Sequence, residues 1–247
     1  MLVVRSADRK MITKVVVAAA GKGTRMLQVA KNKPKHLINV QKRPFLYYLL
    51  KNIKEAGIEE IILVIGHKKE AMEEFSKEYE KEFNLTLVNQ FQEVGESLYG
   101  TAIPIQCVEK YISENFIALY GDNLYSPKDI KRMAVDDNYT YLGAINHSDP
   151  KKYGVIVTQG DTLKNIIEKP KEPPSQLINT GLYKFTPAIF QKVKNLKPSP
   201  RGEYELTDAI QALAQKQLVK IKILEDYWLD FGNPGDILKM WKFLNSR

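Results

Sequence analysis

Apolar and polar positions alternate in blocks along the first half of the chain. Residues 14–20, KVVVAAA, run apolar without a break and end on small residues before Gly21, the pattern of a strand buried on both faces of a parallel sheet. Residues 44–56, PFLYYLLKNIKEA, open on proline and are followed by Gly57, which predicts a helix with its start and stop signals. The same reading predicts a second buried strand at 60–66, a charged amphipathic helix at 68–82, an alternating strand at 84–89, a helix at 102–112 and a strand at 115–120 ending before Gly121. Strand and helix in this order predict an α/β fold, a mostly parallel sheet with helices on both faces. Beyond about residue 136 the pattern changes. Residues 139–146, 153–159, 162–169 and 177–185 predict strands with short connections, added beside the parallel core as antiparallel or mixed strands. Helices near 187–195 and 205–216, a strand at 219–225 and a helix at 234–245 close the chain. The Pro-rich stretches 169–176 and 196–203 read as surface loops. Residues 1–12 read as a charged leader, and 13–247 as a single domain.

Composition narrows the class. The 247 residues are 44% hydrophobic and 27% charged, which suits a globular chain. One cysteine, Cys107, excludes an internal disulfide framework and reads as a core thiol. His36, His67 and His147 lack zinc-site spacing. No apolar run reaches 18 residues, and the N-terminus is too polar for a secretory signal, so a cytoplasmic protein without a membrane partner is expected. The net charge of +8 is uneven: it is +12 over the first 54 residues and −4 over the rest. A basic stretch of this kind suits nucleic acid, a membrane surface or a polyphosphate small molecule, or a solvated face. Nucleic acid fits poorly, because Phe45, Tyr47 and Tyr48 sit in a helical apolar pattern instead of interleaving with the basic residues.

The first predicted strand runs into Ala18-Ala19-Ala20-Gly21-Lys22-Gly23-Thr24-Arg25. Small residues let backbone approach a ligand, and glycines let successive N–H groups converge on phosphate oxygens. Lys22 and Arg25 add charge-assisted contacts, at the end of a strand where open α/β sheets bind ligands. A dinucleotide motif would need a third glycine where Met26 stands, and a P-loop sequence is absent.

Residues 34–37, Pro-Lys-His-Leu, follow after a short spacer. Together, AAGKGTRML and PKHL resemble the signature of the sugar-phosphate nucleotidylyltransferases. The resemblance continues in order through Gly100-Thr101-Ala102, Gly121-Asp122-Asn123, Tyr153-Gly154-Val155, Glu168-Lys169-Pro170, Asn179-Thr180-Gly181-Leu182-Tyr183, Glu205-Leu206-Thr207-Asp208 and Trp228-Leu229-Asp230-Phe231-Gly232-Asn233-Pro234. It spans roughly residues 13–240. Gln28, Ala30, Asn39 and Asn233 depart from the family pattern, and the run from Gln90 to Gly100 is longer than usual.

The resemblance implies a three-layer, Rossmann-like sheet of the nucleotide-diphospho-sugar transferase type. It also implies attack of a sugar 1-phosphate on the α-phosphorus of a nucleoside triphosphate. The nucleophile is already an anion, so alignment and charge stabilisation are the demands, not a general base. Arg25 would hold the pyrophosphate portion, Lys35 the α-phosphate and Lys169 the sugar phosphate. Asp122 and Asp230 would hold one Mg²⁺, which takes hard oxygen ligands; either aspartate alone reads as a turn residue, and the two together in this family context as metal ligands. Ala20, Gly21, Lys22, Gly23, Thr24, Gly100 and Thr101 would line the nucleotide, with Gln90 or Gln92 reading the base. Gly154, Glu168, Asn179 and Trp228 fall on the sugar side, with a strand bend as the other reading of Asn179, and Trp228 reads as packing beside Asp230 rather than as a stacking platform. Met26-Leu27 leans to UTP, and Gly121-Asp122-Asn123 to dTTP, with glucose 1-phosphate as the acceptor. Mannose-1-phosphate guanylyl transfer and a non-catalytic nucleotide-sugar-binding regulator are the alternatives. Such proteins are commonly homo-oligomers. The chain leaves no room for the C-terminal β-helix domain of longer relatives, so no acyltransferase activity is expected.

Overall fold

The computed structural model describes residues 11–23, 26, 30 and 33–247. Thr24, Arg25, Gln28 and residues 1–10 of the expected leader lie outside the described residues. The strands are β1 (Lys14–Ala18), β2 (Asn39–Val40), β3 (Arg43–Pro44), β4 (Glu60–Ile65), β5 (Asn84–Asn89), β6 (Phe116–Tyr120), β7 (Asn123–Tyr125), β8 (Thr140–Asn146), β9 (Gly154–Gln159), β10 (Thr162–Glu168), β11 (Leu177–Phe185), β12 (Val219–Ile223) and β13 (Trp228–Asp230). Nine of them join one mixed sheet in the order β5-β4-β1-β6-β11-β8-β12-β10-β9. The pairings β5–β4, β4–β1, β1–β6 and β8–β12 are parallel. Antiparallel pairing enters at β6–β11 and continues through β11–β8, β12–β10 and β10–β9, which is where the sequence pattern loses its helices.

Alternate side chains of β1 feed two separate cores, because successive residues of a strand face opposite sides of the sheet. Val15 and Val17 pack with residues of the helices Phe45–Glu55, Lys69–Glu78 and Pro127–Met133 and with Met240 of the C-terminal helix. Val16 and Ala20 pack with residues of Ile103–Gln106, Ala188–Lys194 and Leu206–Ala214. The result is the three-layer, Rossmann-like α/β architecture. Among the described residues no helix is long and apolar enough to cross a membrane.

Several details depart from the sequence reading. Met11 bridges Val135 and Ile12 is buried, so the end of the expected leader belongs to the folded body. The helix expected at 102–112 is two short pieces, Ile103–Gln106 and the 3₁₀ turn Glu109–Tyr111. Val108 donates its N–H to Ile105, the tighter bond that ends an α-helical turn. The helix Pro127–Met133 follows a Ser126 hydroxyl that accepts the N–H of Asp129 at 3.0 Å, an N-cap legible in Ser-Pro-Lys-Asp. Part of the basic N-terminal surplus also has structural work. The Arg43 guanidinium lies 5.1 and 5.5 Å from the ring centres of Tyr47 and Tyr79 and donates to the Tyr79 hydroxyl, so it is not merely solvated.

Candidate functional site

The carboxyl ends of β1 and β6 set the first part of the site. Gly121 donates its N–H to the carbonyl of Ala18 at 2.9 Å, and a Cβ at Gly121 would lie 3.0 Å from that same oxygen. The residue after the glycine, Asp122, is thereby held close to the end of β1, where the Gly21–Gly23 turn begins. Gly23 has φ +62°, and a Cβ there would lie 3.4 Å from Lys35 Cγ. The stem of Lys35 therefore lies along the glycine turn. Lys35 belongs to a 3₁₀ turn, Lys35–Leu37, and its ammonium donates to Asp122 Oδ2. The two side chains are 11% and 24% exposed.

Burial pushes the Asp122 carboxyl up, but Lys35 above all brings it below its ordinary value. Asp122 is a carboxylate held by a cation in partly screened surroundings. Its neighbour His36 is buried, and burial with the adjacent Lys35 pushes the imidazole down to about 3 against a smaller opposing effect of Asp122. His36 is a buried imidazole held neutral at ordinary pH.

Asp230 arrives by strand pairing. β13 runs antiparallel to β7 with Asp230 opposite Asn123, and Phe231 donates its N–H to the carbonyl of Asp122 at 2.8 Å. The Asp236 carboxylate accepts the N–H groups of Gly232 and Asn233, which fixes the exit from β13 into the helix Pro234–Asn245. Asp122 immediately precedes β7 and Asp230 ends β13, so the pairing of these two strands brings together backbone segments more than 100 positions apart in the sequence.

On the other side of Asp230 lies Tyr153, whose hydroxyl donates to Asp230 Oδ2 at 3.4 Å. Tyr153 also accepts the N–H of Lys169 on its carbonyl at 3.0 Å. Lys169 has φ +45°, a left-handed conformation rare for a residue with a side chain and concentrated at functional sites. Its ammonium is exposed and lies 3.6 Å from Glu168 Oε1. Burial pushes the Glu168 carboxyl up, with Lys169 and Arg201 opposing it. Gly154 pairs with Glu168 across β9 and β10, and a Cβ there would lie 3.2 Å from Glu168 Oε2.

Four expected ligand residues have side chains or backbone engaged within the protein. A Cβ at Gly100 would lie 2.3 Å from the Tyr204 carbonyl oxygen, and the Thr101 hydroxyl accepts the N–H of Leu206 at 2.9 Å. Both hold the loop that leads into the helix Leu206–Ala214. Asn179 donates to the Tyr183 hydroxyl at 2.6 Å and accepts the Gly181 N–H at 3.1 Å. Its amide serves the irregularity in β11 between Asn179 and Tyr183, the strand-bend reading of this residue. The Trp228 indole N–H donates to the Thr180 carbonyl at 3.2 Å and its ring meets Tyr153 edge-on, which is packing. Ala20 is buried, Gly21 has open space around it, and the Lys22 ammonium lies 5.4 Å from the centre of the Tyr99 ring. Gln90 is buried at the end of β5, whereas Gln92 is exposed.

Sequence reasoning missed two groups. One is the Tyr153 hydroxyl, since its motif was noted but its reach to Asp230 depends on strand pairing. The other is Arg201, which lies 3.7 Å from Glu168, 3.1 Å from Glu203 and 3.2 Å from the buried Glu205. The alternation Arg201-Gly202-Glu203-Tyr204-Glu205 was a signal that could have found it.

The arrangement offers cations for phosphate, carboxylates for hydroxyl groups, and two aspartates at the ends of paired segments, Asp122 just before β7 and Asp230 at the end of β13. The hard oxygen donors of Asp122 and Asp230 fit a divalent cation, and the Lys35 ammonium already shows that Asp122 accepts positive charge there. Asn123 Oδ1, buried next to them, has no hydrogen-bond partner among the described residues. No cluster of three or more metal-ligating side chains occurs among the described residues.

Residues 14–247 match the Nucleotidyl transferase family model. The chain is 35% identical over 229 residues to the UTP–glucose-1-phosphate uridylyltransferase AglF of Haloferax volcanii, covering 90% of this chain and 92% of that protein. It is 34% identical over 233 residues to the bifunctional protein GlmU of Methanocaldococcus jannaschii, covering 93% of this chain and 53% of that longer protein. A solved UDP-glucose pyrophosphorylase complexed with UDP-glucose shares the fold, with a TM-score of 0.82 at 23% identity over 96% of this chain and 100% of the other.

Proposed function

Because this chain belongs to the nucleotidyl transferase family, we propose that it joins UTP or dTTP to glucose 1-phosphate, giving a nucleotide sugar and pyrophosphate. Sugar-1-phosphate nucleotidyl transfer as a class rests on the family match and the curated relatives. Glucose and UTP rest on the Haloferax relative. The observation that carries the reading is the Lys35–Asp122 pair laid along Gly23, with Asp230 on the adjoining strand pair.

An oxygen of the sugar phosphate forms a bond to the α-phosphorus, the bond from that phosphorus to the bridging oxygen breaks, and the electron pair leaves with pyrophosphate. No proton has to be removed from the nucleophile. The residues of this chain bring two anions together and hold them in line. Lys35 exchanges Asp122 for oxygens of the α-phosphate when nucleotide enters. Lys169 neutralises the incoming sugar phosphate, and Arg25, known here from the sequence alone, holds the departing end. Asp122 and Asp230 would hold one Mg²⁺, which when bound offsets the charge of the triphosphate. Glu168 accepts hydrogen bonds from sugar hydroxyls, with Arg201, itself paired to Glu205, fixing its position. Gln90, buried where β5 ends, reads the base in preference to the exposed Gln92.

The test is pyrophosphate release across UTP, dTTP and GTP, each with glucose 1-phosphate and mannose 1-phosphate, with and without Mg²⁺. Turnover is expected with glucose 1-phosphate and a pyrimidine nucleotide. A preference for GTP with mannose 1-phosphate would replace the substrate assignment, and no release with any pair would favour a non-catalytic binder.

A further inference from the structure

We propose that Tyr153 is a positioning residue that holds the Asp230 carboxylate for a divalent cation, an inference that rests on the reading of Asp122 and Asp230 as cation ligands. Its hydroxyl donates to Asp230 Oδ2 at 3.4 Å. A tyrosine hydroxyl is a neutral donor, so it orients the carboxylate without adding a charge that would compete with a cation. The ring that carries it is held from two sides. His147 meets it edge-on with centroids 5.0 Å apart, and Trp228, two residues before Asp230, does so at 5.8 Å. Trp228 is in turn anchored through its indole N–H to the Thr180 carbonyl. The hydroxyl therefore approaches Asp230 from a ring whose rotamer is set by packing.

The backbone of Tyr153 is fixed independently. The residue follows the 3₁₀ turn Pro150–Lys152, donates its N–H to the Pro150 carbonyl and accepts the N–H of Lys169. One residue thus touches both halves of the site, Asp230 through its hydroxyl and the Lys169 backbone through its carbonyl. Hydrogen bonds to a ligating carboxylate fix its orientation, and removing such a partner costs about 10–100-fold in metal affinity.

The experiment measures Mn²⁺ binding by the protein alone, without nucleotide or sugar, from the electron paramagnetic resonance signal of the free ion. Wild type, Tyr153→Phe and Asp230→Asn are compared, with melting temperatures recorded for each. Tyr153→Phe keeps the ring and its packing and removes only the hydroxyl. An affinity about 10-fold weaker than wild type at an unchanged melting temperature supports the proposal. Tyr153→Phe binding within twofold of wild type, with Asp230→Asn clearly weakened, overturns the positioning role and leaves the cation site intact. Asp230→Asn binding like wild type overturns the cation reading and the proposal together.

Discussion

Lys35 and Asp122 each satisfy the other's charge within a site that awaits more charge of both signs. In the proposed reading, a triphosphate offers the ammonium a stronger set of acceptors, and its removal would take away a contact made to charge in the transition state. Lys35→Ala is expected to lower kcat by about 10²–10³-fold in a steady-state assay while circular dichroism stays native. Next to this pair, His36 gives a pH signature. Its imidazole has an ordinary value of 6.5 and is pushed down to about 3 by burial and Lys35. Between those values the unfolded chain binds a proton that the folded chain does not, so stability falls as pH falls. The slope from this group is at most about 1.4 kcal/mol per pH unit. His36→Gln is expected to flatten the dependence of melting temperature on pH below 6.5 relative to wild type; identical slopes would contradict the assignment.

Strands and helices with strong periodicity were legible, because burial on both faces leaves an unbroken apolar run and burial on one face leaves an alternation. β1, β4, β5, β6 and β11 fall where KVVVAAA, EIILVIG, NLTLVN, NFIALY and LINTGLYKF predict them. The β7–β13 pair was not legible, since three-residue strands carry too little pattern. The motifs identified Asp122 and Asp230, while the pairing that carries their backbone segments side by side needed the fold. Thr101 illustrates the opposite case. Its motif suggested a nucleotide contact, and in the fold its hydroxyl accepts the first N–H of the helix Leu206–Ala214. Such a cap satisfies one of the orphan donors of a helix start. Thr101→Val is therefore expected to lose about 1 kcal/mol of stability in urea titration. A loss of activity without that loss of stability would return Thr101 to the nucleotide site.

At the scale of the molecule, charge is divided between the two halves of the site. In the proposed reading, the basic N-terminal stretch supplies Lys22, Lys35 and, from the sequence alone, Arg25. The net acidic remainder supplies Asp122, Asp230, Glu168 and Glu205, along with Lys169. Removal of divalent cations with a chelator is expected to abolish turnover, and Mg²⁺ to restore it, without a change in secondary structure by circular dichroism.

The most direct measurement follows the α-phosphorus. UTP labelled at that atom is incubated with glucose 1-phosphate, Mg²⁺ and either wild type or Asp122→Asn, and the products are separated. Label in UDP-glucose with wild type, none in the released pyrophosphate, and a severe reduction with Asp122→Asn is the expected result. Label that stays in UTP, or that enters UDP-glucose equally with both proteins, would contradict nucleotidyl transfer at this site.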